Sequence, residues 1–287
     1  MVSKIRIHEV APRDGLQNEA IVLGTAVKVD LIQKLLQASP DSIEVTSFVR
    51  PDKLPQLADA LDLIPQLPNS SGTKYFALVP NRRGLERFLE TPLKGATVLV
   101  STTDEHSLAN VGMPRLEALR ETCSMIRDAR KEGVAIRAYV SMAFGCPLGG
   151  AVEPEVVRDT VAAFSEAEAE LVVLADTWGR GEPASVEALL EISRTQLQLE
   201  RLGLHMHDTY GNALSNCQRG IEMGVTHFDA SVGGCGGCPF APEASGNLDT
   251  RSLCQLIESL GFEHSLQIDS LEESAHFLQQ ALGANLT

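Results

Sequence analysis

His205 and His207, one residue apart and followed at once by Asp208, are the side chains of this sequence best suited to chemistry. They end an apolar run, Leu202-Gly203-Leu204-His205-Met206-His207, that reads as a short buried strand entering a Thr209-Tyr210-Gly211-Asn212 turn. Residues two apart on a strand share a face, with Cα atoms roughly 6–7 Å apart. Two imidazoles at a strand mouth can therefore chelate one metal ion; the other reading is one packed histidine beside a solvent-facing one. At the far end of the chain, Lys4 to Val10 alternates polar and apolar residues as a strand does, and Pro12-Arg13-Asp14-Gly15 forms the loop behind it. Arg13 and Asp14 are either a surface ion pair or a functional pair at a strand end. A third signal is Gly233-Gly234-Cys235-Gly236-Gly237-Cys238-Pro239. So many glycines let a loop close over a ligand, with Cys238 as a mobile thiol above it. The Cys235-x-x-Cys238 spacing also fits half of a zinc site, a redox pair, or two small residues in a flexible loop. As a redox pair near a cation, both thiols would lean towards thiolate and close reversibly into a Cys235–Cys238 bond.

The elements that must position these residues alternate regularly. Strand-like runs at 5–10, 42–46, 74–78, 96–100, 135–141, 171–175, 202–207 and 227–232 are short and rich in Val, Ile and Leu, as parallel strands buried on both faces should be. Amphipathic stretches at 26–38, 115–131, 154–168, 183–194 and 213–224 lie between them, several opened by a Glu-Pro pair or closed by glycine. Eight β-α units without a composition break predict a TIM (β/α)8 barrel, a single catalytic domain over residues 1–287, with a further helix at 270–282. An open doubly wound sheet is the alternative, but no Gly-x-Gly-x-x-Gly follows the first strand. Barrel closure makes strands 7, 8 and 1 contiguous. Asp14, His205, His207 and Asn247, which lies in the loop after strand 8, can then converge at the C-terminal mouth. That donor set, two oxygens and two nitrogens without thiolate, suits six-coordinate Mg2+ or Mn2+ better than zinc.

Composition bounds the partners. The 287 residues are 44% hydrophobic and 22% charged, enough apolar mass for a large core. A formal net charge of −14 argues against nucleic acid or an anionic membrane, and obliges any anionic substrate to find local cations. No run of about 18 apolar residues is present, and neither a signal nor a transit peptide is expected. Six scattered cysteines read as reduced thiols of a cytoplasmic protein.

Taken together the motifs resemble the 3-hydroxy-3-methylglutaryl-CoA lyase family, within a superfamily of metal-dependent lyases and synthases on this barrel. The matching segments are Pro12-Arg13-Asp14-Gly15-Leu16-Gln17-Asn18-Glu19, Ile43-Glu44-Val45-Thr46-Ser47-Phe48-Val49, Tyr139-Val140-Ser141, Gly145-Cys146-Pro147, Asp176-Thr177, His205-Met206-His207-Asp208-Thr209-Tyr210-Gly211, Gly236-Gly237-Cys238-Pro239 and Ala244-Ser245-Gly246-Asn247. They fall in order along nearly the whole chain. The resemblance implies retro-Claisen cleavage of a 3-hydroxy-3-methylglutaryl thioester to acetyl-CoA and acetoacetate, by a homodimer. It makes Asp14, His205, His207 and Asn247 the metal ligands, Arg13 the partner of the enolate oxyanion, and Cys238 the proton donor to the enolate carbon. His205 or Asp14 is the base. Glu44 and Asp176 become carboxylates that orient Arg13 and the ligands, with Gln17, Ser47 and Thr177 as substrate contacts. An aldolase or condensing enzyme of the same superfamily, using a 2-oxo acid, is the alternative. A non-catalytic binding protein would have lost some of these residues.

Two departures bear on the substrate. Family members usually carry lysine where Ala20 stands. The loop after strand 4, residues 101–112, usually bears lysine and helps hold the acyl-CoA; here it keeps Asn110 but contains Asp104 and Glu105. The coenzyme phosphates are thus expected to be weakly held unless Arg50, Lys53, Arg82 or Arg83 substitutes.

Overall fold

Short, largely buried runs, most of them apolar, form eight parallel strands in the computed structural model, which describes residues 4–70, 72–236 and 246–283. β1 (Arg6–Glu9), β2 (Ser42–Ser47), β3 (Lys74–Leu78), β4 (Gly95–Ser101), β5 (Ala135–Ser141), β6 (Leu171–Asp176), β7 (Leu202–Met206) and β8 (His227–Ala230) pair in chain order. The barrel closes where β8 returns to β1, in register from Arg6 opposite His227 to Glu9 opposite Ala230. The (β/α)8 expectation is met, with strand ends displaced by a residue or two.

The helices are α1 (Thr25–Gln37), a short α2 (Ala60–Leu63), α3 (Arg82–Leu89), α4 (Asp104–Val111), α5 (Arg115–Lys131), α6 (Pro154–Glu166), α7 (Pro183–Ser193), α8 (Ala213–Met223), α9 (Thr250–Ser259) and α10 (Ile268–Leu282). α10 is the expected C-terminal addition. It rests on α1, with the Lys34 ammonium 5.4 Å from the centre of the Phe277 ring. The stretch after β4, expected as an acyl-CoA-holding loop, is largely the helix α4. Thr103 caps it by accepting the His106 N–H at 3.3 Å, Asp104 and Glu105 favour its first turn, and Gly112 ends it at φ 77°.

The apolar core lies between the strands and the helix ring, where Leu35, Ile43, Ile126, Phe164, Leu204 and Phe228 are fully buried. Each contributes roughly 1.5–3 kcal/mol through burial. The inside of the barrel is different. A small apolar cluster of Tyr139, Leu171, Val173 and Ala175 shares it with charged groups. Arg137 on β5 donates to Asp229 on β8, and these strands are not neighbours, so the contact crosses the interior. Among the described residues no helix is long and apolar enough to cross a membrane.

Candidate active site

The chain leaves β1 through a tight π-helical turn, Ala11–Gly15, with Pro12 in its first positions. Glu9 anchors the turn. Its buried carboxylate accepts the Ala11 and Val232 N–H groups at 2.9 and 3.0 Å and the Thr250 hydroxyl at 2.7 Å, joining the end of β1 to the loop after β8. Burial pushes this carboxyl up to about 7 despite those three donors. The turn aims Arg13 and Asp14, each 6% exposed, at the barrel mouth. Arg13 Nε donates to the Glu44 carboxylate of β2 at 2.5 Å, and Nη1 donates to Asp14. Gln17 completes the cluster by donating to Asp14 Oδ1 at 2.6 Å. Burial alone would lower the Arg13 pKa, but Glu44 and then Asp14 outweigh it and raise it. Arg13 Nη2 has no hydrogen-bond partner among the described residues, so one edge of a fixed, charged fork is left for a ligand.

Across the mouth, His205 near the end of β7 and His207 just beyond it have ring centroids 5.2 Å apart. Their Nε2 atoms stand 3.9 and 3.8 Å from Asp14 Oδ2. One ligand atom from each of the three residues lies within 4.8 Å of the others, and all three side chains are buried. Such separations exceed a hydrogen bond but match ligands that share one ion, since two atoms each about 2.1 Å from a cation stand about 3–4 Å apart. Burial pushes the Asp14 carboxyl up, yet Arg13, aided by both histidines, holds it well below the usual range, so Asp14 is an anion. The donor set and its geometry fit a divalent metal.

Asn247 reaches the same point from the loop after β8, where it pairs as an antiparallel bridge with His207. Its Nδ2 lies 2.9 Å from Asp14 Oδ2 and 3.1 Å from the Cys235 carbonyl. Gly236, at φ 108°, makes this approach feasible: a Cβ there would sit 2.7 Å from Asn247 Nδ2 and 3.0 Å from the Gly15 Cα.

Below the histidines is a group that sequence reasoning missed. Asp229 Oδ2 is 3.2 Å from His205 Nδ1 and also accepts the Tyr139 hydroxyl, while Arg137 donates to Oδ1. Burial would raise the Asp229 pKa, but Arg137 and His205 hold it far down, so a carboxylate faces Nδ1 and turns Nε2 towards Asp14. Arg137, Tyr139 and Asp229 stand out as polar side chains within strand runs, but their spacing in sequence does not show that they meet.

The remaining expected residues divide. Asp176 does not reach Arg13. Its carboxylate accepts the N–H groups of Gly179, Arg180 and Gly181 at 2.8, 3.2 and 2.6 Å, and its main-chain carbonyl accepts the His207 N–H at 3.1 Å. Ser47 accepts the Val49 N–H, and Thr177 donates to the Met142 sulfur. Cys238 falls outside the described residues. Cys235 is 1% exposed, and its thiol donates to the Gly15 carbonyl. Burial, reinforced by Glu19, pushes that thiol well up, which corrects the expectation of an exposed, thiolate-prone Cys235. Arg82 pairs with Asp128 of α5 at 2.6 Å and Arg50 with Asp52 at 2.6 Å, both in partly or fully exposed positions. A cavity of about 980 Å³ opens at the opposite, N-terminal mouth, among Arg6, His8, Ser42, Lys74, Arg137 and His227, away from these groups.

The profile of the HMGL-like family matches residues 4–278. A hydroxymethylglutaryl-CoA lyase of Bacillus subtilis is 38% identical over 284 residues, covering 99% of this chain and 95% of that protein. The crystal structure of the HMG-CoA lyase from Brucella melitensis superposes with a TM-score of 0.95 at 38% identity, covering 98% of this chain and 99% of that one. An HMG-CoA lyase from Acenitobacter baumannii, solved with coenzyme A and 3-methylmalate, gives a TM-score of 0.94 at 31% identity over 100% and 94% of the two chains. With the profile and the relatives each spanning almost the entire barrel, the chain belongs to the hydroxymethylglutaryl-CoA lyase family, a carbon–carbon lyase on a (β/α)8 scaffold.

Proposed function

We propose that this protein cleaves 3-hydroxy-3-methylglutaryl-CoA, or a close 3-hydroxy-3-alkylglutaryl thioester, to acetyl-CoA and acetoacetate. The observation that carries the reading is the buried Asp14–His205–His207 cluster with Arg13 fixed beside it by Glu44. Asp14, His205 and His207, with Asn247, would hold a divalent ion, Mg2+ or Mn2+ for this oxygen-and-imidazole set, and that ion would supply Lewis acidity to the C3 hydroxyl of the substrate. A base then removes the hydroxyl proton, the C2–C3 bond breaks, C3 becomes the ketone of acetoacetate, and the bonding pair passes to C2 as the thioester enolate. The base is His205 or Asp14; Asp229 behind Nδ1 would stabilise the imidazolium if His205 takes the proton, but an Nε2 that takes it does not at the same time ligate the ion. Asp14 is already engaged by Arg13, Gln17 and Asn247. Arg13 Nη2 offers its N–H groups to the enolate oxygen, and Cys238 returns a proton to C2.

The coenzyme-bound relative supports an acyl-CoA substrate. The catalytic domain is read over residues 1–287. Among the described residues the five cysteines are buried and free, which supports a reducing, cytoplasmic setting, and the homodimer is carried over from the resemblance.

Incubating the purified protein and Mg2+ with this thioester, the free hydroxy acid, and a 2-oxo acid with acetyl-CoA tests the proposal. Equimolar acetyl-CoA and acetoacetate from the thioester alone is the expected result; a condensation product would favour the 2-oxo acid alternative. Arg13→Lys keeps a charge but loses the fork, so it is expected to lower kcat by about 10²–10³-fold.

A further inference from the structure

An acidic chain that binds a phosphate-bearing carrier needs a cation at the barrel mouth; Arg50 and Arg82 are each paired with a surface carboxylate, and Lys53 and Arg83 are exposed and in no ion pair or aromatic contact among the described residues. The loop after β6 supplies a cation that sequence reasoning did not single out. Arg180 is exposed, and its guanidinium lies 4.0 Å from the centre of the Tyr210 ring and 5.4 Å from that of Trp178. No carboxylate pairs with it among the described residues.

The surroundings hold this cation in place. Asp176 grips the backbone of Gly179, Arg180 and Gly181 through three N–H groups. Trp178 packs so closely on the β5 loop that a Cβ at Gly145 would stand 3.4 Å from its ring. Gly179, at φ 76°, lies against the β7 loop, where a Cβ would meet Thr209 at 2.8 Å and the His207 carbonyl at 3.2 Å. Arg180 therefore sits on a rim wedged directly over the segment that carries His207. Two aromatic faces orient its planar fork before any ligand arrives, which reduces the entropy lost on binding.

Position decides which anion it meets. The reacting end of the substrate belongs to the buried floor, where Arg13 is 6% exposed, whereas Arg180 faces solvent on the rim. A group that reaches the rim belongs to the distal carrier. We propose that Arg180, stacked on Tyr210 and Trp178, binds a phosphate group of the coenzyme A moiety and thereby sets the preference for the full coenzyme thioester. The inference rests on the thioester reading given above.

The test compares wild type with Arg180→Gln on the coenzyme A thioester and on the phosphate-free pantetheine thioester, and measures the affinity of each protein for free coenzyme A by calorimetry. One lost charge-assisted contact is worth about tenfold. The expected result is a KM for the coenzyme thioester raised about tenfold with the loss falling on KM and not kcat, a matching loss of coenzyme A affinity, and a markedly smaller penalty on the pantetheine thioester. Arg180→Lys should recover part of the affinity. Equal penalties on both thioesters, or unchanged coenzyme A affinity, would overturn the contact. The two readings fail separately. A wild type that binds coenzyme A through Arg180 but cleaves neither thioester would sink the reaction, and cleavage indifferent to Arg180 would sink the contact.

Discussion

Among single residues, the proposed metal ligands were the most legible, because His205-x-His207 and Arg13-Asp14 are unusual at strand ends and barrel closure brings them together. What supports them was not. Asp229 holds Nδ1 of His205, and nothing local in Phe228-Asp229-Ala230 announces a partner 24 residues upstream. Asp229→Asn removes the negative charge that fixes the imidazole, so we expect divalent-metal affinity to fall about 10–100-fold, read as Mn2+ binding by paramagnetic resonance. The change also strips Arg137 of its buried counter-charge and can cost about 3–5 kcal/mol. Tyr139→Phe, which removes one hydroxyl and no charge, separates the two effects: a smaller loss of metal affinity with a fold intact by circular dichroism supports the positioning role. Unchanged metal affinity in both variants would reduce Asp229 to a structural partner of Arg137.

At the level of elements, strands and long helices could be read directly from Val, Ile and Leu runs and from Glu-Pro and glycine punctuation. α4 could not, because its Thr103 cap and acidic first turn look like a polar loop until the capping bond is formed. The loop after β8 works through its backbone: Asn247 reaches Asp14 only because Gly236 leaves room. Gly236→Ala should cost about 1–3 kcal/mol of strain and displace Asn247, weakening metal binding more than it lowers the melting temperature. An alanine variant with wild-type metal affinity would show that the loop adapts. The seam between β1 and β8 has its own test. Glu9 is raised from 4.5 to about 7, so over that interval the folded state holds a proton that the unfolded state has lost. The contribution of Glu9 to wild-type stability therefore falls as pH rises from about 4.5 to about 7, by up to roughly 3 kcal/mol, while His8 and His227, both lowered by burial, act in the opposite sense. Glu9→Gln keeps the acceptor for Ala11 and Val232 and a donor for Thr250 but does not titrate. Its advantage over wild type in urea unfolding should grow across that window; parallel profiles would show that Glu9 is ionised throughout.

On the scale of the whole molecule, the barrel divides its work between two volumes. The apolar layer between strands and helices holds the fold together, and its periodicity made the (β/α)8 architecture readable. The interior carries a charged column from Arg137 through Asp229 to His205, which a reading of uniformly apolar strands could not show, because those contacts join residues that are distant in sequence and on non-adjacent strands. That column ends at the C-terminal mouth beside Arg13, where Asp14, His205, His207 and Asn247 meet, and the account stands on the divalent ion proposed for those four residues. The most direct test is to strip the protein with chelator, titrate it with Mg2+ or Mn2+, and follow acetoacetate release from 3-hydroxy-3-methylglutaryl-CoA. The account predicts no turnover in the stripped protein, recovery at one ion per chain, and weakened ion binding in Asp14→Ala and His205→Ala. Undiminished cleavage by the metal-free, chelated protein would contradict it.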